Sequence, residues 1–81
     1  LYQSLLIGRE MILGGERDAR RIQSQLEAYI KKEPLARIEY VSISNPQTLQ
    51  EVQKIEGKTL IALAVWIGKT RLIDNIIVRQ S

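Results

Sequence analysis

The run Thr59–Ile67, TLIALAVWI, restricts the fold of this 81-residue chain more than any other segment. If it forms a strand, both of its faces are apolar, and such a strand belongs at the centre of a sheet that is covered on both sides. One face would carry Leu60, Ala62, Ala64 and Trp66, and the other Ile61, Leu63, Val65 and Ile67. The alanines leave room for a helix to lie close, so we expect the helices on the alanine face. Trp66, on the same face, should be substantially covered, either within this domain or at its contact with a part of the protein that this sequence lacks.

Two further strands are predicted around this run. Gly68 and Lys69 separate it from a second apolar run at Arg71–Arg79, and so short a connection predicts an antiparallel hairpin. Upstream, ARIEYVSIS from Ala36 to Ser44 alternates apolar and polar residues as a strand does. The segment NPQTLQEV that follows is a turn signal, and a short helix is possible there with Asn45 as its N-cap.

The chain begins with two predicted helices. The segment 2–13, YQSLLIGREMIL, suits an amphipathic helix, and its Gly8 costs about 1 kcal/mol relative to alanine, so this helix should rely on packing. A second helix is predicted from Glu16 to about Lys32, with acidic residues in its first turn, lysines in its last turn, and an end enforced by Pro34. Its apolar stripe consists of Ala19, Ile22, Leu26, Tyr29 and Ile30.

Together these elements predict one α+β domain spanning residues 1–81. Its two layers are two N-terminal helices packed on a three-stranded, mainly antiparallel sheet, in the order ααβ(α)ββ. A chain of this length supports a single modest core and no deep cleft.

Composition removes most catalytic chemistries. The chain contains neither cysteine nor histidine, so it has no disulfide, no thiolate nucleophile and no imidazole base or metal ligand. Its twelve basic and nine acidic residues are mixed along the chain, which disfavours a nucleic-acid partner. We predict no membrane partner, because no apolar run approaches the roughly 20 residues that span a bilayer. The first residue is Leu1 and not methionine, which suggests a fragment of a longer protein.

Lys69, Arg71 and Asp74 are the weak candidates for a substrate site, and no catalytic or metal-binding residue is predicted. Arg71 and Asp74 are three residues apart, so on a regular strand they project to opposite faces and do not pair. Asp74 lies in an otherwise apolar row, so we expect it to be mostly buried and to accept at least two hydrogen bonds. A structural role is favoured, since a lone aspartate makes a poor metal site.

Two stretches, IEYVSISNPQTLQEV and IEGKTLIALAVWIGKTRLIDNI, carry a family resemblance. The chain resembles the C-terminal domain of the pantothenate synthetase (pantoate–β-alanine ligase) family. The matching elements are Ile38–Val41, Asn45–Leu49, Leu63–Val65 and Gly68–Asn75, and the block TRLIDN is the most specific of them. Asn45 stands where this family commonly has aspartate, a change that keeps the capping chemistry.

The resemblance implies an ATP-dependent ligase that joins pantoate to β-alanine through a pantoyl adenylate. In this family ATP and Mg²⁺ are held by an N-terminal nucleotide-binding domain with a His-x-Gly-His-type motif and a Ser-Ser-Arg-Asn loop, neither of which occurs in this chain. The implied role is therefore a lid that closes over the active site and, as an isolated fragment, is inactive and binds no cofactor. The intact enzyme would be cytoplasmic and homodimeric, largely through the absent domain.

Two other readings stay open at this point. A compact domain of this size can also be a free-standing small-molecule-sensing or protein-interaction module without catalysis. Some members of the family, cyanobacterial ones especially, continue into a cytidylate kinase domain, and the sequence leaves open whether this protein does.

Overall fold

Two helices precede three strands in the computed structural model, which describes residues 1–79. The elements are α1 (Tyr2–Leu13), α2 (Ala19–Ile30), β1 (Ala36–Ser44), β2 (Lys58–Ile67) and β3 (Thr70–Arg79). The strands form one antiparallel sheet in the order β1-β2-β3. The predicted two-layer α+β architecture is confirmed.

β2 occupies the centre of the sheet, as its two apolar faces predict. The hairpin to β3 closes on the pair Ile67 and Thr70, which leaves Gly68 and Lys69 as the two turn residues. Gly68 has φ +60° and Lys69 does not have a positive φ, the pattern of a type II′ turn. Glycine is required there because a side chain disfavours that backbone conformation.

The helices cover the face of β2 that carries Ile61, Leu63 and Val65, all of which are fully buried. The expectation that they pack on the alanine face is wrong, and Trp66 on that face is only partly buried. The close approach of helix and sheet depends on a small residue of the helix and not on the alanines of the strand. A Cβ added at Gly8 of α1 would stand 2.8 Å from the Cδ1 of Ile61. Glycine at this position therefore lets α1 approach a strand face made of large side chains.

The apolar stripe of α2 is confirmed except at Tyr29, which is exposed. The helix is shorter than predicted because Asp18 caps it and Ile30 is its last residue. The Asp18 carboxylate accepts hydrogen bonds from the backbone N–H groups of Arg20 and Arg21, at 3.0 and 3.4 Å. The acidic and lysine residues expected in the terminal turns lie just outside the helix.

No short helix follows β1, so the optional helix in the predicted order is absent. The side chain of Asn45 does act as a cap, and it accepts hydrogen bonds from the backbone N–H groups of Gln47 and Thr48 at 2.8 and 3.2 Å. Leu49, however, has φ +62°, a conformation that a right-handed helix cannot contain. The segment therefore ends as a turn.

Neither helix in residues 1–79 has the length and the continuous apolar sequence needed to cross a membrane.

Candidate functional site

The structure does not bring the three candidate residues together. Lys69 is exposed in the hairpin turn. Arg71 lies directly opposite Trp66, on the face of the sheet that the helices leave open, whereas Asp74 lies opposite Leu63 on the helix-covered face. The prediction that Arg71 and Asp74 project to opposite faces is confirmed.

Asp74 is only partly buried, contrary to expectation. Within residues 1–79 its carboxylate accepts one hydrogen bond, from the backbone N–H of the adjacent Asn75 at 2.8 Å. The expected set of two or more bonds to a buried carboxylate is therefore wrong. The reason is the position of β3 at the edge of the sheet, where the helix layer covers it incompletely and also leaves Leu72 exposed.

Arg71 instead forms a bidentate ion pair with Glu39 of β1. The Nε of Arg71 donates to Oε1 of Glu39 at 2.9 Å, and Nη2 donates to Oε2 at 2.8 Å. The indole N–H of Trp66 donates to the same Oε1 at 3.0 Å. The guanidinium of Arg37 lies over the Trp66 ring, 5.8 Å from its centroid. We call Arg37, Glu39, Trp66 and Arg71 the rim cluster.

A β-bulge in β1 places Glu39 in this cluster. Ile38 pairs with Val65 and Tyr40 pairs with Ala64, so Glu39 is an extra residue between two consecutive pairs. The bulge turns its side chain towards Trp66 on the central strand and, beyond it, Arg71 on β3. The cluster thus connects all three strands.

Within the rim cluster, Glu39 and Arg71 neutralise each other's charge. The hydrogen bond from Arg71, followed by that from Trp66, holds the pKa of Glu39 below its usual value of 4.5. The same hydrogen bond raises the pKa of Arg71. Both groups are therefore charged at neutral pH, and Glu39 is neither a poised general base nor free to bind a cation. Glu39 occupies the Nε–Nη2 edge of the Arg71 guanidinium, so a bidentate contact between that edge and a phosphate requires Glu39 to be released.

Sequence reasoning did not find Glu39 or Arg37. The two-residue turn determines the hairpin register, and from that register the pairing of Trp66 with Arg71 could have been predicted. Nothing local in the sequence signals the bulge, and Glu39 and Arg71 are 32 residues apart.

Two grooves lie along α2, and neither contains a catalytic arrangement. One, of about 570 Å³, lies between the start of α2 and residues 51–53, but its Asp18 carboxylate is already used to cap the helix. The other, of about 620 Å³, follows the free edge of β1, where the side-chain Nε2 of Gln23 donates to the carbonyl oxygen of Val41 at 2.7 Å. Among residues 1–79 no three His, Cys, Asp or Glu side chains are grouped so that they could hold a metal ion.

The side of the sheet that residues 1–79 leave uncovered, which we call the open face, carries exposed apolar side chains that the core does not use. It lies opposite the helices and is continuous with the rim cluster. Its main apolar members are Tyr40, Ala62, Ala64, Trp66, Ile73 and Ile77. Ile73 and Ile77 are 56% and 59% exposed, which is unusual for isoleucine on a sheet.

The fold and site together define a small two-layer α+β domain with its own core, a surface ion pair and one sheet face that residues 1–79 leave uncovered. Comparison with known proteins specifies it further. The family model for pantoate-beta-alanine ligase matches residues 1–77. The chain belongs to the pantoate–β-alanine ligase family.

Individual relatives agree with this assignment. The chain is 51% identical to the pantothenate synthetase of Carboxydothermus hydrogenoformans over 77 residues, which are 95% of this chain and 27% of that protein. It is 52% identical to the pantothenate synthetase of Fervidobacterium nodosum over 79 residues, or 96% of this chain and 28% of that protein. The crystal structure of pantothenate synthetase from Thermus thermophilus superimposes with a TM-score of 0.85 at 28% identity, covering 94% of this chain and 27% of that one. The chain thus spans little more than a quarter of the length of the relatives it matches.

Proposed function

We propose that this chain is the C-terminal lid domain of an ATP-dependent ligase that condenses pantoate with β-alanine to form pantothenate, a precursor for coenzyme A biosynthesis. The observation that carries the proposal is the family match over residues 1–77. Similarity to solved pantothenate synthetases, at TM-scores of 0.85 and 0.83, supports it independently of the sequence pattern.

The reaction has two steps with different requirements. In the first, the carboxylate of pantoate attacks the α-phosphorus of ATP, which gives pantoyl adenylate and releases pyrophosphate. In the second, the amine of β-alanine attacks the acyl carbon, which forms the amide and releases AMP. An acyl adenylate hydrolyses readily, so water has to be excluded between the two steps.

The described residues do not fit a nucleotide or Mg²⁺ site of their own. Residues 1–79 hold no group of three metal-ligating side chains, the chain contains no histidine, and its paired glycines, Gly14 and Gly15, follow a helix instead of a strand. We therefore assign ATP, Mg²⁺, pantoate and β-alanine to an N-terminal nucleotide-binding domain of the same polypeptide. That domain would also form the homodimer of the intact, cytoplasmic enzyme.

Closure is the contribution that suits this chain. Its core of fully buried side chains from α1, α2 and β2 lets the unit move as one body against a second domain. Closing domains of this kind exclude water and retain the substrate through the chemical steps. Lys69, at the tip of the hairpin, and Arg71, if released by Glu39, are the residues of this lid that we expect nearest to substrate.

Product stoichiometry in the full-length protein tests the proposal. With ATP, pantoate and β-alanine, the intact protein should form one pantothenate for each AMP. Removal of residues 1–81 should lower turnover severely and raise the ratio of AMP to pantothenate, because adenylate escapes to water. A full-length protein that forms no pantothenate would refute the ligase assignment. A truncated protein with unchanged turnover and ratio would refute the lid.

Calorimetry of the isolated chain with MgATP tests whether this chain binds the nucleotide by itself. We expect no binding tighter than a Kd of about 100 μM, which corresponds to roughly 5.5 kcal/mol at the standard state. Tighter binding that Lys69→Ala abolishes and Lys58→Ala, at the far end of the hairpin, leaves intact would show that the lid carries a nucleotide site. Both lysines are exposed, so the two variants form a matched pair.

A further inference from the structure

We propose that the open face packs against a helix of the preceding part of the same polypeptide, and that this contact holds the lid on its catalytic domain. The inference rests on the proposed function in one respect: it takes the rest of the polypeptide to be the catalytic part. The shape, the size and the charge of the face each support it.

The pattern of β2 calls for a cover that residues 1–79 do not supply. Leu60, Ala62 and Ala64 form an apolar row on the side of the sheet that α1 and α2 leave open. On neighbouring strands Ile73 and Ile77 add exposed apolar area to the same side. Ser42 and Asn75 flank Ala62 with polar side chains, so the apolar surface of this side is divided at that row. Exposed apolar surface with polar neighbours is typical of interaction sites.

The face is concave at its centre. Ala64 is fully buried even though no helix covers it, because its strand partners Tyr40 and Ile73 rise on either side. The depression over Ala62 and Ala64 lies between the flanking strands, which stand about 10 Å apart, close to the diameter of a helix. A ridge of helix side chains fills such a depression. Two copies of the same depression facing each other would leave a void along their common midline, so a second copy of this chain fits poorly.

The size of the face favours a tethered partner. Three strands spaced about 4.8 Å apart and the rows from Leu60 to Trp66 give an area of roughly 300–400 Å². Stable complexes of separate proteins bury about 800 Å² on each partner, so the open face alone is too small for a free partner. A partner in the same polypeptide needs less area, because the tether supplies a high effective concentration. The matched relatives provide that partner, since nearly three quarters of their length lies outside the match.

The margins of the face specify the chemistry of the occupant. The rim cluster holds Trp66 in place through the Glu39 hydrogen bond and the overlying Arg37, so this aromatic side chain loses little conformational freedom on docking. Lys58 and Arg79 lie opposite each other at the far end of the face. With Arg37 and Arg71, four basic residues and one acidic residue border the surface, so we expect an apolar helix ridge flanked by acidic side chains.

Site-resolved thiol labelling of the full-length protein tests the contact. Ile73→Cys places a thiol on the open face, and Leu13→Cys places one of similar exposure, 50% against 56%, on the helix layer. Alkylation with N-ethylmaleimide, followed by peptide mass spectrometry, should be at least about tenfold slower for the Ile73→Cys thiol than for the Leu13→Cys thiol, after each rate is divided by its value in guanidinium chloride. Equal normalised rates would overturn the proposal.

Steric variants and dilution identify the occupant. Ala62→Arg fills the depression and should abolish the protection of the Ile73→Cys thiol, whereas Ala28→Arg on the exposed side of α2 should leave it unchanged. If the Ile73→Cys thiol stays protected after Ala62→Arg, the proposal that a helix packs over Ala62 and Ala64 is overturned. The protection should also be constant over about a hundredfold dilution, and its loss on dilution would assign the face to a second copy instead.

Activity of the cysteine-substituted and unsubstituted proteins separates this inference from the proposed function. If the unsubstituted protein forms pantothenate and the Ile73→Cys thiol reacts freely, the docking proposal fails and the ligase assignment stands. If the thiol is protected and no pantothenate is formed, the docking proposal stands and the ligase assignment fails.

Discussion

Replacing Gly8 by alanine sets two opposing effects against each other at the contact between α1 and β2. Alanine is a better helix former than glycine by about 1 kcal/mol, so the substitution alone would strengthen α1. The added Cβ would, however, stand 2.8 Å from Cδ1 of Ile61, well inside the roughly 3.5–4.0 Å at which carbon atoms pack without repulsion. Leu26 and Ile22 would lie at 3.5 and 3.6 Å, which are ordinary contacts.

The net effect of Gly8→Ala is expected to be a loss of stability. Overpacking a core by one methyl group costs about 1–3 kcal/mol, so Gly8→Ala should lower the free energy of unfolding by about 0–2 kcal/mol after the helix gain. Ile61→Val removes the Cδ1 atom itself and should cost about 0.5–1.5 kcal/mol alone. In the double variant the new Cβ fills the space that Cδ1 leaves, so stability should return to within about 0.5 kcal/mol of the original protein, with a favourable coupling of about 1–3 kcal/mol.

Urea unfolding of the four proteins, followed by circular dichroism, measures this coupling. The control is Gly8→Ala combined with Ile55→Val, because Ile55 is equally buried but is not among the three neighbours named for Gly8. That pair should be additive within about 0.5 kcal/mol. Additive behaviour of Gly8→Ala with Ile61→Val would refute the conclusion that glycine is needed here for close approach.

Three further outcomes follow from the geometry. Asp18→Ala should lower the free energy of unfolding by about 1 kcal/mol because α2 loses its cap, and Asp18→Asn, which keeps the acceptor, should cost less in the same urea titration. Since the folded-state pKa of Glu39 is depressed, its pair with Arg71 contributes stability above the ordinary value of 4.5 and loses it as the pH falls through the lower folded value. The stability difference between the original protein and Glu39→Gln should accordingly shrink below pH 4.5, and a difference independent of pH would contradict the assignment. Asp74→Ala should cost less than about 1 kcal/mol, because the carboxylate is partly exposed and makes one local hydrogen bond; a larger loss would require a partner for Asp74 that its observed bonding does not include.

The order of the elements, the central place of β2 and the hairpin were predictable because their signals are local. A two-residue period with apolar residues on both faces is encoded within Thr59–Ile67, and the turn depends on Gly68 alone for its positive φ. The same two-residue period placed Arg71 and Asp74 on opposite faces. The family resemblance carried by the block TRLIDN was likewise visible in the linear sequence, and the match over residues 1–77 confirms it.

The candidate site was less predictable, because its partners come from distant segments. Asp74 looked buried in its row of apolar neighbours, but the coverage of an edge strand depends on where the helices lie. Glu39 reaches Arg71 through a bulge in β1, which changes the register of a non-local pairing. Neither the partial coverage of β3 nor the bulge in β1 produces a periodic pattern in the sequence of that strand.

The sequence by itself determined which segments become helix or strand and, through the apolar residues on both faces of β2, that this strand lies at the centre of the sheet. Only the tertiary structure decided which face this chain covers for itself. The alanines of β2 and the glycine of α1 both permit close approach, and each is equally visible in the sequence. Packing determines which of the two faces of β2 the helices cover. The absence of a side chain at Gly8 lets α1 lie against Ile61, and the large side chains of that strand face fill the core. The alanine face is left open because side-chain volumes are matched between layers, which no single segment encodes.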